Sequence, residues 1–446
     1  MTTASTIAAG VAHPPSESEI DATYSKITWR LIPFLAFLWL LAWIDRVNVG
    51  YVKLTMLDDL KWSESVYGLG AGIFFLGYFF FEIPSNLMLQ KIGAKKTLMR
   101  ITLGWGATCV AMMFAKTPEV FYGLRFLMGA FEAGFLPGVI VYLTYWYPSD
   151  RRAKVLSLIT AASALSSVVG GPLAGNILNL MGGVGGLSSW QWVFLVEGAP
   201  TVLAGIFTYF YLTDRPQEAH WLTPREQHLV AAELDRDHKA LGEREHSIWA
   251  ALKDSRLWLF VVVYFCIVAA NATLNFYGPS IVKELGFTNP ATIGWIMSGA
   301  FLLGAGAQIA NGSHSDRQQE VRWHCAGAVL LGVIGLLVVA FSLGRSPALV
   351  LTGLVIAVIG TSSAFPVFWQ MPNRLLTGAA AAVGIALINS IANLAGFGSP
   401  MMLAEVKAAT GGLSPGLFAI AAIEMLAVLL ILWFVPKNPV AKRKTA

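Results

Sequence analysis

The sequence predicts an all-α integral membrane protein of twelve transmembrane helices, arranged as two pseudo-symmetric six-helix bundles. Of its 446 residues, 56% are hydrophobic and only 13% are charged, and the mean hydropathy is +0.62. Soluble globular chains carry about 25% charged residues. Twelve apolar stretches are long enough to cross a bilayer as helices, and one long hydrophilic segment divides them six and six.

The predicted elements follow one another in a simple order. Residues 1–25 are polar and lack the features of a cleavable signal, so we expect a disordered cytoplasmic tail there. The first bundle occupies 26–213, the second occupies 256–436, and a second cytoplasmic tail follows at 437–446. The predicted spans are 27–52, 66–90, 97–115, 118–146, 154–181 and 190–213, then 256–283, 290–313, 322–343, 346–371, 378–406 and 413–436.

The hydrophilic segment 214–255 is interpreted as a cytoplasmic linker that contains one short helix. Thr223-Pro224-Arg225-Glu226 is a capping box with proline at the first helical position, which predicts where that helix begins. If successive spans cross the membrane in alternating directions, most of the 31 Lys and Arg residues lie on the same side of the membrane as the amino terminus. Since cytoplasmic loops carry an excess of basic residues, both termini are expected in the cytoplasm.

The first predicted helix carries an ionisable pair, Asp45-Arg46, inside an otherwise apolar stretch. A charged residue within the membrane costs about 2.5–3.5 kcal/mol on insertion scales, and it usually faces a cavity, a partner or a ligand. The pair either neutralises itself and pins this helix to a neighbour, or it belongs to a functional site. Residues of this kind are functional by default.

The fourth predicted helix carries Arg125 and Glu132, which are almost two turns apart and therefore share a face. Arg46 lies seven residues before Lys53, where the first helix is expected to leave the membrane. Arg125 lies seven residues after Pro118, where the fourth helix enters it. Both arginines should then lie about 10 Å below the same membrane surface. Two guanidinium groups at one depth suit an anionic ligand, because arginine binds carboxylates through two parallel bonds.

Asp45 and Glu132 are the candidates for proton coupling. Burial disfavours an ionised carboxylate, whereas a neighbouring arginine favours it. An anion that occupies the arginine would therefore leave the carboxylate to take up a proton. The alternative is a permanent network of ion pairs that only holds the helices together.

Two loops at matching places in the two halves carry a wider resemblance. The turn after the second helix reads Gln90-Lys91-Ile92-Gly93, and the turn after the eighth reads Gly312-Ser313-His314-Ser315-Asp316-Arg317. Together with twelve helices and a charged central linker, these turns resemble the major facilitator superfamily. The second turn has its G-x-x-x-D-R signature, which implies a gating role for Asp316 and Arg317, while the first has Gln90 where aspartate is usual. The resemblance implies two bundles that rock about a central site.

Motifs in the first half resemble more specifically the anion:cation symporter family. They are Ile44-Asp45-Arg46-Val47-Asn48, Gly77-Tyr78, Leu124-Arg125 with Glu132, and Arg151-Arg152-Ala153; Trp190–Gly198 and Gly384–Ser390 resemble its bacterial tartrate and phthalate branch, and galactonate carriers also belong to the family. The resemblance implies that Arg46 and Arg125 hold a substrate carboxylate and that Asp45 and Glu132 carry protons. It also implies substrate contacts for Tyr78 and Ser163.

The second half contains several amides within its predicted spans. Asn271 and Asn275 lie four residues apart in the seventh helix, and Asn389 and Asn393 do so in the eleventh, so each pair shares a face. We predict that they bind polar groups of the substrate without adding charge, with Trp369 and Gln370 lining the same cavity. Hydrogen bonding between helices is the alternative for each asparagine. Glu82, Glu405, Lys407 and Glu424 are expected at helix ends, in the membrane interface.

The predicted function is the proton-coupled import of an organic carboxylate anion, namely an aromatic acid, a dicarboxylate or a sugar acid. No nucleophile–base pair, metal-ligand spacing or phosphate loop occurs, so we expect no enzyme activity, no metal and no cofactor besides protons as the coupling ion. The protein is expected to be a monomer in the bacterial inner membrane that binds no nucleic acid. An exchanger or facilitator without proton coupling, and a membrane sensor without turnover, are the alternatives.

Overall fold

A computed structural model describes residues 16–241, 252–375 and 379–436. Within these ranges every regular element is a helix, and 12 helical spans are long and apolar enough to cross a membrane, which confirms the predicted fold class. The helices are α1 (Glu17–Leu60), α2 (Glu64–Ile92), α3 (Ala94–Ala111), α4 (Pro118–Glu132), α5 (Phe135–Thr144), α6 (Ser149–Thr160), α7 (Ala162–Leu180), α8 (Ser189–Tyr211), α9 (Pro224–Leu241), α10 (Ser255–Glu284), α11 (Pro290–Gln318), α12 (Arg322–Ser342), α13 (Pro347–Leu375), α14 (Ala379–Ala392), α15 (Ala395–Thr410) and α16 (Ser414–Phe434).

Three of the spans consist of two helices separated by a short break. They are α4 with α5, α6 with α7, and α14 with α15. The first break follows Glu132 directly and contains Gly134, whose φ of −91° and ψ of 4° depart from helical values. Broken helices inside a membrane protein free backbone groups and leave room beside functional side chains. Glu132 and Asn393 both lie at such breaks.

The first helix begins earlier than the sequence predicts. Ser16 caps α1 by accepting a hydrogen bond from the Glu19 amide, so residues 17–25 are helical and the expectation of a disordered tail through residue 25 is wrong for them. The reason is contact with α9: Glu19 pairs with Arg225, and the Lys26 ammonium lies 2.8 Å from a Glu226 carboxylate oxygen. Hydropathy marks where a helix leaves the membrane, but it carries no information about such a soluble docking partner.

The linker helix α9 begins where the capping box predicts. The Glu226 amide donates to the Thr223 hydroxyl at 3.2 Å, and the Thr223 amide donates to the Glu226 carboxylate at 2.7 Å. Further along α9, Asp237 accepts hydrogen bonds from the Ser149 amide at 3.0 Å and from Arg152 at 3.1 Å. The helix is thereby fixed to the start of α6. The remainder of the predicted linker, 242–251, lies outside the described residues, as does the tail at 437–446.

Helices α1–α8 form one bundle and α10–α16 form the other. Between them α1 packs on α10, α2 packs on α15, and α7 packs on α11. The contact of α2 with α15 joins the second span to the eleventh, and the contact of α11 with α7 joins the eighth span to the fifth. These two contacts occupy equivalent places, because the second and fifth spans of the first bundle correspond to the eighth and eleventh in the other. The interface therefore has the pseudo-two-fold symmetry that the matching loops predict.

The backbones of the two bundles approach each other most closely at one end of the interface. We call this end, which carries Lys61 and Lys407, the far side; the opposite end, which carries Glu17 and α9, is the near side. A Cβ atom on Gly50 would lie 2.6 Å from the Asn275 carbonyl oxygen, and one on Gly171 would lie 2.7 Å from that of Gly294. Real Cβ atoms do not approach backbone this closely, so only glycine permits the contact. The backbones of the two bundles are in direct contact here.

An ion cluster reinforces the far side. The Lys53 ammonium lies 2.7 Å from Glu64, Glu64 lies 3.0 Å from Lys407, and Lys407 lies 3.1 Å from Glu284. Lys53 was expected where α1 leaves the membrane, but α1 continues to Leu60 and Lys53 is buried between the rings of Tyr67 and Tyr277. The Glu64–Lys407 pair crosses from one bundle to the other.

Candidate functional site

The central ion pair of the site joins Arg46 of α1 to Glu132 at the end of α4. The Arg46 Nε atom donates to Glu132 Oε1 at 3.1 Å, and Nη2 pairs with the same oxygen. Both side chains are buried, and the other Glu132 oxygen has no hydrogen-bond partner among the described residues. One oxygen of Glu132 thus occupies two N–H donors on one edge of the Arg46 guanidinium. The same edge is suited to bind a carboxylate ligand through two parallel bonds.

Aromatic rings surround the arginines. The guanidinium carbon of Arg46 lies 4.7 Å from the Trp43 ring centre, 5.2 Å from that of Phe74 and 5.4 Å from that of Tyr78. Arg125 lies 5.0 Å from the same Phe74 ring, which agrees with the equal depth predicted for the two arginines. Tyr78 therefore lies beside Arg46, and its contact with a substrate stays a prediction. Such rings stabilise a cation while excluding water from it.

Arg125, which the sequence predicts to face a ligand, instead points to the backbone of α2. It is fully buried, and it donates to the backbone carbonyl oxygens of Gly70 at 3.1 Å and Ala71 at 3.2 Å on α2. Within the described chain no carboxylate forms an ion pair with it. In this conformation Arg125 joins α4 to α2, and its substrate role stays a prediction.

Asp45 faces away from the arginines. It accepts hydrogen bonds from the Thr201 hydroxyl at 2.7 Å and the Trp105 indole at 3.1 Å, and the Cys109 thiol lies 3.5 Å from its other oxygen. These partners belong to α3 and α8. The expectation that an arginine neighbours Asp45 is wrong for this conformation, because successive residues of a helix point about 100° apart. Of Asp45 and Glu132, only Glu132 pairs with a guanidinium in the described part of the chain.

The amides of the second bundle are partly brought together. Asn275 donates to the Asn271 backbone oxygen at 2.9 Å and to its side-chain oxygen at 3.2 Å, so the pair does share a face of α10. Asn389 lies in the last turn of α14, Asn393 lies in the break between α14 and α15, and both are half-buried. No contact between these asparagines and the arginines is seen in the described residues, and their role in binding stays a prediction.

Trp369 of α13 belongs to an aromatic cluster that approaches the first bundle. Its ring centre lies 4.8 Å from that of Tyr264 on α10, which in turn lies within electrostatic range of Arg46. Gln370 is half-buried beside Trp369. Tyr264 was not singled out from the sequence, since a tyrosine in an apolar helix carries no distinguishing pattern.

Ser163, Asp316 and Arg317 form no hydrogen bond or ion pair with the central arginines among the described residues. The Ser163 hydroxyl donates to the Thr160 carbonyl oxygen at 2.7 Å, next to the break between α6 and α7. Asp316 and Arg317 are exposed at the near-side end of α11, and neither forms an ion pair within the described chain. Their gating role depends on a conformational change and stays a prediction.

Two buried glutamates lie where they were not expected. Glu424 of α16 and Glu82 of α2 were expected in the membrane interface, but Glu424 is fully buried and accepts from Thr361 at 2.9 Å, while Glu82 is buried beside Ser390 of α14. Glu197 of α8, only 2% exposed, was not recognised as a site residue. A single acid directly after the apolar run Val193–Val196, inside a predicted span, was the signal available for it.

Two six-span bundles that meet along a central interface, with a buried charged site beside that interface, define a membrane transport protein. The chain matches the Major Facilitator Superfamily over residues 35–400, and it belongs to that family.

Similar proteins agree with this assignment. The chain is 42% identical to a protein of Agrobacterium vitis named "Putative tartrate transporter", over 91% of this chain and 93% of the relative. It is 40% identical to the "Putative metabolite transport protein NicT" of Pseudomonas putida, over 95% of this chain and 97% of the relative. The crystal structure of a bacterial homologue of the human lysosomal transporter Spinster shares the fold with a TM-score of 0.74 at 15% identity, covering 94% of this chain and 97% of that one.

Proposed function

We propose that the protein imports an organic carboxylate anion together with protons across the bacterial inner membrane. The observation that carries this proposal is the buried Arg46–Glu132 pair. A cation that is already neutralised by a movable carboxylate can exchange that partner for a carboxylate of the substrate.

Exchange of partners at Arg46 provides the coupling. Without substrate, Arg46 stabilises ionised Glu132. When a substrate carboxylate binds Arg46, Glu132 loses its cation in a buried place where an unpaired charge is very costly. Glu132 then takes up a proton, so anion and proton bind together and leave together. Trp43, Phe74 and Tyr78 keep water from the guanidinium while its partner changes.

The direction and the substrate class rest on two further arguments. The near side carries clusters such as Lys95-Lys96 and Arg151-Arg152, so the near side, with both termini, is assigned to the cytoplasm. The name of the 42%-identical relative supports a hydroxylated dicarboxylate such as tartrate as the first candidate. Asn271 and Asn275 would then bind hydroxyl groups of such an acid.

Uptake into proteoliposomes tests the proposal. With the membrane potential held at zero and the interior alkaline, each coupled proton raises the accumulation ratio about tenfold per unit of pH gradient. Glu132→Gln should lower the ratio by that factor while downhill exchange continues. Accumulation at the wild-type ratio in the variant would show that Glu132 carries no proton.

A thermal-shift screen identifies the anion. A ligand at 100 times its Kd stabilises the folded protein by about 2.7 kcal/mol. Tartrate, aromatic acids, sugar acids and organic cations are compared in the wild type and in Arg46→Ala. Arg46 is the informative position because Arg125→Ala would also leave two buried carbonyl oxygens without their donor. Equal stabilisation in Arg46→Ala would place the anion elsewhere.

A further inference from the structure

A hydrogen-bonded chain of two histidines and a carboxylate joins α11 to α12 on the near side. The Nδ1 atom of His314 lies 2.6 Å from Nε2 of His324, and Nδ1 of His324 lies 2.7 Å from a carboxylate oxygen of Glu320. His314 belongs to the near-side end of α11, and His324 belongs to the first turn of α12. The contact between the two imidazoles therefore ties one span of the second bundle to the next.

Glu320 determines which nitrogen of His324 carries hydrogen. It accepts from the backbone amides of Trp323 at 2.8 Å and of His324 at 3.2 Å. Although partial burial opposes ionisation, these bonds and the His324 side chain lower the pKa of Glu320 below its usual value. An ionised carboxylate only accepts, so Nδ1 of His324 carries a hydrogen atom and, in the neutral ring, Nε2 is bare.

The contact between the imidazoles tolerates one extra proton but not two. While His324 is neutral, His314 donates from Nδ1 to the bare Nε2. If His324 takes up a proton, its Nε2 donates instead, and the hydrogen atom of neutral His314 lies on the other nitrogen. When both rings are charged, two N–H groups face each other and the bond is lost. Imidazole is the side chain that changes charge between about pH 5 and pH 8, so this loss falls in the physiological range.

No carboxylate compensates a charge on His314. Within the described chain Glu320 pairs with His324, and no ion pair reaches His314. The other charged residues on the elements around the pair are Asp316 and Arg317 of α11, Arg322 of α12 and Arg374 of α13. The helix α16 meets α12 at Leu432, which lies about 12 Å along the helix from its single charged residue, Glu424. Of the groups at this turn, only the histidines are of the type that changes charge between about pH 5 and pH 8.

The same contact helps to hold the turn that carries the predicted gating residues. Asn311 donates to the carbonyl oxygen of Ser363 on α13 at 2.9 Å, and Ser315 donates to that of Glu320 at 2.6 Å. Amide and hydroxyl groups do not titrate in this range, so of these three contacts at the end of α11 only the one between the histidines responds to pH. The two residues with a predicted gating role lie within this turn.

We propose that His314 and His324 form a pH switch on the cytoplasmic side. At neutral pH their contact fixes the near-side end of α11 to α12; in an acidic cytoplasm both rings are charged, the contact opens and transport slows. This inference goes beyond the proposed function and takes from it the assignment of the near side to the cytoplasm. Because α11 also packs on α7 of the first bundle, its near-side end has to move with its own bundle when the two bundles rock. Under the proposed function, the protein would thereby slow its own proton uptake as the cytoplasm becomes acidic.

Hydrogen exchange tests the contact without any substrate. The purified full-length protein is labelled at about pH 7.5 and about pH 5.5, and the rates are corrected for the intrinsic effect of pH on exchange. We expect the protection of amides 315–324 to fall about tenfold at the lower pH in the wild type, since uptake of one proton changes an opening equilibrium up to tenfold per unit of pH. His314→Gln should be equally protected at both pH values, because its amide can donate to neutral His324 or accept from the charged ring.

The control variant and a transport assay complete the test. His220→Gln removes an exposed histidine on the same side of the protein but outside this turn, so it should keep the wild-type response. Tartrate exchange is then measured in proteoliposomes with the same pH on both sides. Exchange by His314→Gln should equal that of the wild type at about pH 7.5 and should be several-fold faster at about pH 5.5.

Two results would overturn the inference. The first is a loss of protection at low pH that persists in His314→Gln, or wild-type protection that does not change with pH. The second is exchange that slows in His314→Gln to the same extent as in the wild type. If neither protein exchanges tartrate at any pH, the substrate named in the proposed function is wrong, and the hydrogen-exchange result still decides whether the pair is a switch.

Discussion

Lys407 joins the two bundles on the far side, and replacing it with methionine should favour opening there. Its ammonium lies 3.0 Å from Glu64 of α2 and 3.1 Å from Glu284 of α10, and its side chain is 21% exposed. Of these two pairs, the one with Glu64 joins the two bundles, and the one with Glu284 lies within the second bundle. Methionine retains most of the apolar stem, so the change removes the charge with little loss of packing.

The expected size follows from this geometry. Exposed ion pairs contribute about 0.2–1 kcal/mol, and a half-buried pair within a network lies at the upper end of that range. Loss of about 1 kcal/mol from the closed far side shifts the ratio of open to closed protein about fivefold. High salt should act in the same direction on the wild type, because screening weakens the same pair.

Distance measurements between spin labels can detect the shift. Lys61→Cys and Thr288→Cys place one exposed label on each bundle at the far side, and the three native cysteines are buried. Lys407→Met should raise the long-distance fraction about fivefold. Lys116→Met, which changes an exposed lysine outside the cluster, is the control. An unchanged distance distribution, or an equal change in the control, would refute the role of this pair.

Three further predictions use other contacts. Gly294→Ala would overlap backbone of α7 and should open the far side in the same assay, whereas Gly299→Ala meets nothing within 4 Å and should not. Although partial burial opposes ionisation, hydrogen bonds from Ser149 and the charge of Arg152 lower the pKa of Asp237 below its usual value. Asp237→Asn should therefore speed hydrogen exchange in α9 about fivefold, for a loss of about 1 kcal/mol. The effect should be full above about pH 4, the pKa of the unfolded carboxyl, and should be lost as the pH falls through the lower pKa of the folded state. In the wild type, anion affinity should fall with rising pH, and Glu132→Gln should flatten this dependence in calorimetric titrations.

Much of the fold follows from patterns that act locally. Hydropathy places twelve spans, and the Thr223–Glu226 capping box places the start of α9, because both depend on neighbouring residues alone. Arg46 and Arg125 both lie against the Phe74 ring, as their predicted common depth requires, although α1 does not end near Lys53 as that count assumed.

The partners of the charged residues could not be predicted in the same way. Consecutive positions on a helix point in different directions, so Asp45 and Arg46 necessarily face different neighbours. The identity of those neighbours depends on how α3, α4 and α8 pack around α1. Glu197 and Lys53 illustrate the same limit. Whether an acid in an apolar run is buried between helices, or a lysine lies within an ion cluster, is decided by the tertiary arrangement rather than by its own span.

The arrangement of α1 suggests why one helix carries both ionisable residues. If Arg46 alone moved between Glu132 and a substrate, a proton could follow the anion without any change in the rest of the bundle. Asp45 ties the opposite face of the same helix to Trp105 and Thr201. A displacement of α1 large enough to release Glu132 must therefore also disturb these bonds. Under the proposed function, binding of the anion at Arg46 is in this way transmitted to the packing of α1 against α3 and α8.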